Sequence, residues 1–354
     1  MQYLRNVSFW ERRKVAIAKH IRSLIRRFVF GDTLLPQEFT IGLTDPQTEV
    51  SIWLHGADRP IDVTRCYSMA CAAPLTLCIA LGRESKECEQ LSRRTSLRFS
   101  ESSGNKKILG EIFIDLVEVS SLDDLLLLLF EVRGSRNYCL PVVRQWMHYS
   151  LHAFLQKRHK SDSGIMMSFL EKRSAMVMFI NPHPTVLGSV IDDGGGNVFP
   201  MNIMGELGCG YFAFALKDSR LAAHFVERTG RIALSSVPFS HAHLPFKLAI
   251  NHTKRSIDLG ALPFATKRSR NFSIPVPDFA LRVREMEVQM VRKIGSHTLF
   301  IARVISDERY SEGLELCVVH GFYQYWRLKE HKAELKASIT QDSLNKSTLY
   351  SFDR

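Results

Sequence analysis

The sequence predicts a mainly β protein with some helices, an α+β fold, arranged in two domains. The chain has 354 residues, a length that favours two domains. Short β-branched and apolar runs recur along most of it, separated by turns rich in Gly, Pro, Asp and Ser, which is the pattern of paired strands. The strongest hairpin signal is DDGGG at 192–196, because Asp and Gly tolerate the positive φ that such turns need.

The net charge of +11 raises the question of nucleic-acid binding. The positive residues are dispersed, with short local runs at 12–14, 26–27 and 267–270, and no signature of a nucleic-acid-binding fold accompanies them. A solvated basic face that attracts anionic nucleotides explains the positive charge equally well. We therefore expect no nucleic-acid partner.

The chain is expected to be a cytoplasmic protein without a membrane span or a bound metal. No apolar stretch reaches the roughly 18 residues that a spanning helix needs, and the Arg-rich start lacks the apolar core of a secretory signal. The seven cysteines are scattered, odd in number and without a C-x-x-C pair, which is typical of reduced thiols rather than of disulfides or a zinc site. A His-Ala-His sequence at 241–243 has metal-ligand spacing but no Cys or carboxylate beside it.

The first half predicts a mainly β domain, 37–160, closed by a helix. It follows a basic amphipathic segment, 1–36, that we expect to be a helix docked on the protein, with membrane-surface binding as the alternative. The expected strand pairs are 39–43 with 50–54, 63–70 with 75–81, and 97–100 with 108–119; residues 125–132 form a strand or a short helix, and a helix runs from Pro141 to 160. The stretch DVTRCYSMACAAPLTLCIAL echoes the strand pattern of the second half, so a degenerate duplicate barrel is an alternative for this domain.

The second half, 164–328, predicts strands at 186–191, 197–204 and 211–216, a helix, and a further strand pair. Asp218 or Ser219 is expected to cap the helix, and Gly230 to end it. Strands follow at 281–291 and 298–306 with a reversal at 293–295, and then apolar runs at 314–319 and 322–328. Residues 329–354 form a polar tail.

This second half resembles the flavin reductase-like proteins with an FMN-binding split β-barrel. The resemblance is carried by the Gly turn, the N-x-x-P-x-N strand at 197–202, the basic turn before the helix, the ERTGRIALSSVP stretch at 227–238 and the GSHTLFIARV block at 295–304. The first half resembles no family that we recognise. The resemblance implies a flavin site, with FMN as cofactor and FAD as a second possibility, and NADH or NADPH as co-substrate.

The resemblance also assigns roles to particular residues. Asn197, Pro200, Met201 and Asn202 would face the edge of the flavin ring, and the alternative is that the Asn side chains only cap turns. Lys217, Ser219 and Arg220 would hold the phosphate at the helix start, and the alternative is a helix start that is simply solvated. His297 would lie near the flavin or the nicotinamide and orient rather than transfer protons, and the alternative is a packed structural histidine. The usual Thr and Asn of the helix are replaced by Ala222 and Phe225, and the usual Asp and Gly of the second block by Ser296 and Ala302.

The function expected from this resemblance is an NAD(P)H-dependent flavin reductase. It would work as a homodimer with flavin near the subunit interface and would hand reduced flavin to a partner monooxygenase. Two alternatives stay open: a protein that holds FMN tightly and acts on a small organic substrate in a biosynthetic pathway, and a flavin-free interaction module with a decayed site.

Overall fold

The computed structural model describes residues 38–84, 95–102, 106–158 and 167–330 of the protein, and strands dominate it. The predicted N-terminal segment 1–36 and the tail beyond 330 lie outside these residues. The strands of the first half are β1 (Glu38–Leu43), β2 (Val50–His55), β3 (Ile61–Asp62), β4 (Tyr67–Ala72), β5 (Leu75–Gly82), β6 (Thr95–Glu101), β7 (Ile108–Leu122) and β8 (Leu125–Asn137). Those of the second half are β9 (His183–Pro184), β10 (Val186–Asp192), β11 (Gly195–Met201), β12 (Met204–Gly208), β13 (Tyr211–Lys217), β14 (Arg231–Ser236), β15 (Thr266–Arg268), β16 (Pro275–Pro277), β17 (Arg282–Ile294), β18 (His297–Arg309) and β19 (Glu315–His320). The helices are α1 (Val142–Arg158), α2 (Phe169–Met178), α3 (Leu221–Thr229), α4 (His243–Leu248) and α5 (Gly321–Glu330).

Two seven-stranded antiparallel sheets form the body of the protein, and their strands are arranged in the same way. The first has the order β3-β2-β6-β7-β8-β5-β4, and the second has the order β11-β10-β14-β17-β18-β13-β12. Each strand of the first sheet thus has a counterpart at the same place in the second sheet and in the same chain order. This is the repeated arrangement that the sequence raised as an alternative. The expected fold class, mainly β with helices and a curled half-barrel sheet in the second half, is confirmed.

A small third sheet joins the two ends of the described chain. β1 pairs with β19 from Glu38 opposite His320 to Leu43 opposite Glu315, and β9 pairs with the other edge of β19. The predicted hairpin between 39–43 and 50–54 is therefore wrong. The physical reason is that β2 already pairs with β3 on one side and β6 on the other, so neither of its edges is open to β1.

Helices α1, α2 and α5 cover the core of the first sheet. Phe322, Tyr323 and Trp326 of α5 are buried in that core. The apolar run 322–328 folds as α5, and its buried residues recur at helical spacing. Arg327, which is 1% exposed, donates to the Glu49 carboxylate at 2.7 Å and so ties α5 to the start of β2.

The predicted closing helix is present, and its buried face includes polar residues. Gln145, His148 and Tyr149 of α1 are buried, whereas Val142 and Trp146 are exposed. Gln145 is held inside because its Nε2 donates to the carbonyl oxygens of Asn137 and Leu140. A polar side chain with two backbone acceptors can therefore take a buried position that hydrophobic periodicity does not reveal.

Several local predictions for the second half are confirmed. The β10–β11 hairpin closes with Asp192 opposite Gly195, and β13 leads into α3. Gly230 ends α3 with φ 63°, the left-handed conformation for which Gly is favoured. The capping prediction was wrong, because Arg220 occupies the N-cap and no side chain caps the helix.

Within the described residues, none of the helices is long and apolar enough to cross a membrane. The same part of the chain contains no cluster of three or more His, Cys, Asp and Glu suited to a metal ion. His241, of the His-Ala-His sequence, stacks on Phe279 with ring centres 4.4 Å apart.

Candidate functional site

The residues that the sequence assigned to a flavin site lie on β11 and just after it, at the β13–α3 junction and at the start of β18. β13 and β18 are neighbours in the second sheet, whereas β11 is the strand at its opposite edge. Lys217 is the residue opposite His297 where β13 pairs with β18. The next residue along, Asp218, donates its backbone N–H to the Ser296 carbonyl oxygen at 3.1 Å. The basic turn and the histidine block, distant in sequence, are thus brought side by side by strand pairing.

The β13–α3 junction offers two cations beside backbone N–H groups. Helix α3 begins directly after Arg220, and no side chain caps its first turn. Lys217 and Arg220 are half-buried and Ser219 is exposed. Asp218 does not cap the helix because its carboxylate accepts from the Thr298 hydroxyl at 3.0 Å and lies 3.7 Å from the Lys293 ammonium. This arrangement of cations at an uncapped helix start suits a phosphate group.

His297 is buried where the two halves of the protein meet. Its Nδ1 lies 2.9 Å from the Ser296 hydroxyl and 3.7 Å from the Cys71 thiol, and accepts from the Ala72 backbone N–H at 3.5 Å. Burial first and the Lys217 charge second lower the pKa of His297 to about 4. The ring is therefore neutral at physiological pH, so it can orient a neighbouring group but does not hold a proton to donate as an imidazolium.

Asn197 is fully buried and its side-chain amide is used inside the protein. Its Nδ2 donates to the carbonyl oxygens of Asn251 at 3.0 Å and Lys254 at 2.8 Å, and Asn251 returns a bond from its own Nδ2 to the Val198 carbonyl oxygen at 2.8 Å. These contacts fasten the 249–254 segment to β11. They favour a structural role for the Asn197 side chain over contact of its NH₂ group with a flavin ring.

The end of β11 meets a histidine that the sequence analysis did not single out. The Nε2–H of His252 donates to the Pro200 carbonyl oxygen at 2.6 Å, and the His252 ring lies 5.1 Å from that of Phe199. Burial, followed by the charge of Arg220, lowers the pKa of His252, so the ring is neutral. Because His252 lies close to both Pro200 and Arg220, it links the expected ring wall to the expected phosphate end.

The remaining candidate residues have different environments. Met201 is buried in the core of the second sheet, and Asn202 is half-buried with its backbone hydrogen-bonded to His183. Ala222 and Phe225, which replace the family's Thr and Asn, are also core residues. Both side chains therefore pack in the core of the second sheet.

A cavity of about 140 Å³ lies elsewhere, between the two halves. Its lining includes Arg65, Tyr67, Glu206, Arg282 and Arg284, and the candidate flavin residues are not part of it. The arginines around it are already engaged: Arg284 pairs with Glu206 at 3.0 Å and with Asp307 at 3.1 Å. The chemistry of the donor set points to the β13–α3 junction rather than to this cavity for a phosphorylated ligand.

The sequence could not have placed Cys71, Ala72 and His252 in the site, since they come from another sheet or from an irregular insert. The only available signal was weak: the CYSMACA stretch belongs to the strand pattern shared by the two halves.

No family model matches the chain, and no curated protein matches it. Among solved structures, the styrene monooxygenase flavin reductase from Pseudomonas putida S12 matches 42% of this chain and 92% of its own length, with 20% identity and a TM-score of 0.35. The FMN-binding protein from Thermus thermophilus matches 36% of this chain and 72% of its own, with 22% identity and a TM-score of 0.33. BorF, the flavin reductase component of a bacterial two-component tryptophan halogenase, matches 43% and 94%, with 16% identity and a TM-score of 0.38. Part of this chain is thus similar to flavin reductase and FMN-binding split-barrel structures.

Proposed function

We propose that the protein is an NAD(P)H-dependent flavin reductase whose flavin, FMN or FAD, lies along the end of β11 with its phosphate at the β13–α3 junction. The observation that carries this is the strand pairing that sets Lys217 beside His297, with Arg220 at the uncapped start of α3. When bound, the flavin supplies the capacity to accept a hydride from a nicotinamide. Reduced flavin would then pass to a partner monooxygenase.

In this proposal the chain binds and orients, and needs no nucleophile or acid–base pair. Lys217 and Arg220 hold the phosphate by charge, together with N–H groups of the first turn of α3. His252 fixes the direction of the Pro200 carbonyl by its hydrogen bond, so the strand end presents a rigid polar edge. Neutral His297 orients the reacting ring from the side where the two halves meet. Holding two rings in contact supplies the rate increase that correct positioning gives.

The test is a comparison of FMN with riboflavin, which lacks the phosphate. The wild-type protein is expected to bind FMN more tightly than riboflavin. Lys217→Met or Arg220→Met should weaken FMN binding by about 10- to 100-fold and leave riboflavin binding nearly unchanged, because a charge-assisted hydrogen bond contributes about 1.5–3 kcal/mol. Arg133→Met, which removes a half-exposed cation on β8 of the first sheet, is the matched control. Equal binding of both ligands by all four proteins would contradict the placement of the phosphate.

Turnover is followed by the loss of the reduced-nicotinamide absorbance when FMN and NADH are mixed with the protein. An absence of turnover with every combination of FMN or FAD with NADH or NADPH would refute the reductase. If the purified protein is yellow but does not oxidise nicotinamide rapidly, the alternative of a tight FMN flavoenzyme with its own organic substrate replaces it.

One observation favours a flavin-free interaction module as the second candidate. The amide NH₂ of Asn197 is engaged within the protein, and Ala222 and Phe225 belong to the core instead of facing a ligand. If excess FMN does not raise the melting temperature, this candidate is correct, since a ligand that binds only the folded state must stabilise it.

A cytoplasmic location and a homodimer complete the set of expectations that the resemblance suggests. The location is supported by the six cysteines among the described residues, all of which are free thiols. In a homodimer the flavin would lie near the interface between subunits. In this chain, the contact between the first and second sheets lies beside His297.

A further inference from the structure

The two seven-stranded sheets share irregularities of pairing as well as strand order. In each sheet the longest hairpin, β7–β8 in the first and β17–β18 in the second, is closed by a two-residue turn and interrupted by two register shifts at the same distances from that turn. The shifts are between Phe113 and Ile114 and between Leu116 and Glu118 in β7, and between Glu285 and Met286 and between Val288 and Met290 in β17. A bulge is a local backbone feature that is kept in related structures. Its recurrence at matching positions therefore indicates a duplicated barrel rather than two unrelated sheets.

The two copies pack against each other through matching surfaces. The apolar cluster between them takes residues from both sheets, and several occupy equivalent strand positions: Leu127 with Leu299, Leu129 with Ile301, and Cys78 with Ala213. In a two-fold interface the same patch is used on both sides. The cluster therefore has the composition of an interface between two identical subunits, although it lies within one chain.

The hairpin turns at this interface make reciprocal contacts. The β17–β18 turn of the second copy docks on the β4–β5 turn of the first, where Ser296 donates its backbone N–H to the Ala73 carbonyl oxygen at 2.9 Å. In return, the β7–β8 turn of the first copy accepts, through the Asp123 carboxylate, from the hydroxyl of Tyr211 next to the β12–β13 turn. Near the centre, a Cβ at Gly205 would lie only 2.2 Å from the Tyr67 carbonyl oxygen, so β12 and β4 are in close backbone contact. Each copy thus places the turn of its longest hairpin against the equivalent short turn of the other copy.

The first copy lacks the polar residues that the second copy has at the equivalent strand positions. In the second copy, β13 pairs with β18 so that Lys217 is opposite His297; the equivalent pair of the first copy, from β5 and β8, is Gly82 opposite Leu125. A cation and a histidine in one copy are replaced by a glycine and a leucine in the other. The surviving site receives its contacts from the other copy, since Cys71 and Ala72 surround the His297 ring.

We propose that this chain is a dimer fused into one polypeptide, in which the first half has lost its own flavin site and serves as the partner subunit that completes the site of the second half. The working unit is then a single chain with one flavin, in place of the homodimer that the resemblance suggests. The flavin count rests on the proposed function; the fused dimer does not.

The mass in solution and the number of bound flavins test the two parts separately. Light scattering after size-exclusion chromatography is expected to give a mass near the 40.4 kDa of one chain at the concentration used for activity. Calorimetric titration with FMN is expected to give one flavin per chain. A stable mass of two chains overturns the fused dimer, and two flavins per chain overturn the loss of the first site. If no flavin binds, the proposed function fails, while the mass still decides the question of the fused dimer.

A cross-link between the halves tests the same proposal by a route that needs no flavin. A Cβ at Gly208 would lie 3.5 Å from the Cys66 Sγ, which places the half-buried Cys66 of the first copy beside the exposed Cys209 of the second. In a Cys88→Ser background, dibromobimane, which joins only neighbouring thiols, is expected to form a fluorescent link within one chain. Cys209→Ser is the control that should abolish it. A link that joins two chains would show that the interface forms between molecules and would overturn the proposal.

Discussion

Replacing Asn197 by Ala separates its structural role from contact with a flavin ring. The Asn197 Nδ2 donates to the carbonyl oxygens of Asn251 and Lys254, at 3.0 Å and 2.8 Å, from a fully buried position. The Asn197→Ala variant keeps β11 but leaves both carbonyl oxygens without this donor. The segment 249–254 then loses two of its hydrogen bonds to β11 and keeps those from Asn251 to Val198 and from His252 to Pro200.

The expected loss of stability follows from these two bonds. A neutral hydrogen bond in a folded protein contributes about 1 kcal/mol, and a buried acceptor left without a donor adds a desolvation cost of about 1 kcal/mol or more. We therefore expect the free energy of unfolding to fall by about 2–3 kcal/mol. At an unfolding entropy of about 2.1 cal/mol/K per residue, each kcal/mol shifts the melting temperature of a 354-residue protein by about 1.3 °C, so the melting temperature should fall by about 3–4 °C. Asn197→Asp should be more damaging, because it places a carboxylate against two carbonyl oxygens.

The assay is thermal unfolding followed by circular dichroism, with FMN affinity measured well below the melting temperature. Asn202→Ala is the matched control: it removes the same side chain from a half-buried position on the same segment and should change stability by less than about 0.5 kcal/mol. The structural role of Asn197 would be refuted if Asn197→Ala left the melting temperature within about 1 °C of wild type while abolishing FMN binding.

Two further predictions concern pH and the interface. Burial lowers the pKa of both His183 and His297 to about 4, below the usual value near 6.5. As the pH drops from about 6.5 towards 4, the unfolded chain therefore binds protons before the folded chain does. The free energy of unfolding should fall over this range by up to about 1.4 kcal/mol per pH unit for each ring. Urea unfolding between pH 7 and pH 5 checks this, and a His297→Gln variant with an unreduced slope would contradict it. Gly205→Ala should lower the free energy of unfolding by about 1–3 kcal/mol, because the new Cβ meets the Tyr67 carbonyl oxygen. Gly82→Ala should change it by less than about 0.5 kcal/mol, because the new Cβ meets nothing within 4 Å. Equal urea midpoints for the two glycine variants would exclude a tight β4–β12 contact.

The sequence predicted local pairings well because their signals are local. The Asp-Gly turn at 192–196 marked the β10–β11 hairpin, and Gly230 marked the end of α3. The pairing of β1 with β19 joins residues near 40 to residues near 318, and no turn signal exists for such a distant pair. The continuation of β8 through Gly134 to Asn137 was missed for a related reason, since it is held by pairing with β7 and not by the composition of those residues.

The candidate site was predictable only in part. The strand that carries His297 and the turn that carries Lys217 were found because both belong to short motifs, and their pairing across β13 and β18 follows from the fold. The contacts of His297 with Cys71 and of His252 with Pro200 come from tertiary packing of distant segments, which no periodicity encodes. The duplicated barrel was hard to see for the same reason: Leu125 and His297 occupy equivalent positions and share no chemistry.

The packing of two barrels within one chain has a consequence for how the protein responds to dilution. Two separate subunits fall apart when their concentration drops below their dissociation constant, and a site built from both is then lost. Here the covalent connection keeps each barrel at a high local concentration of the other. Specific activity should therefore remain constant down to the lowest enzyme concentrations that an assay can follow.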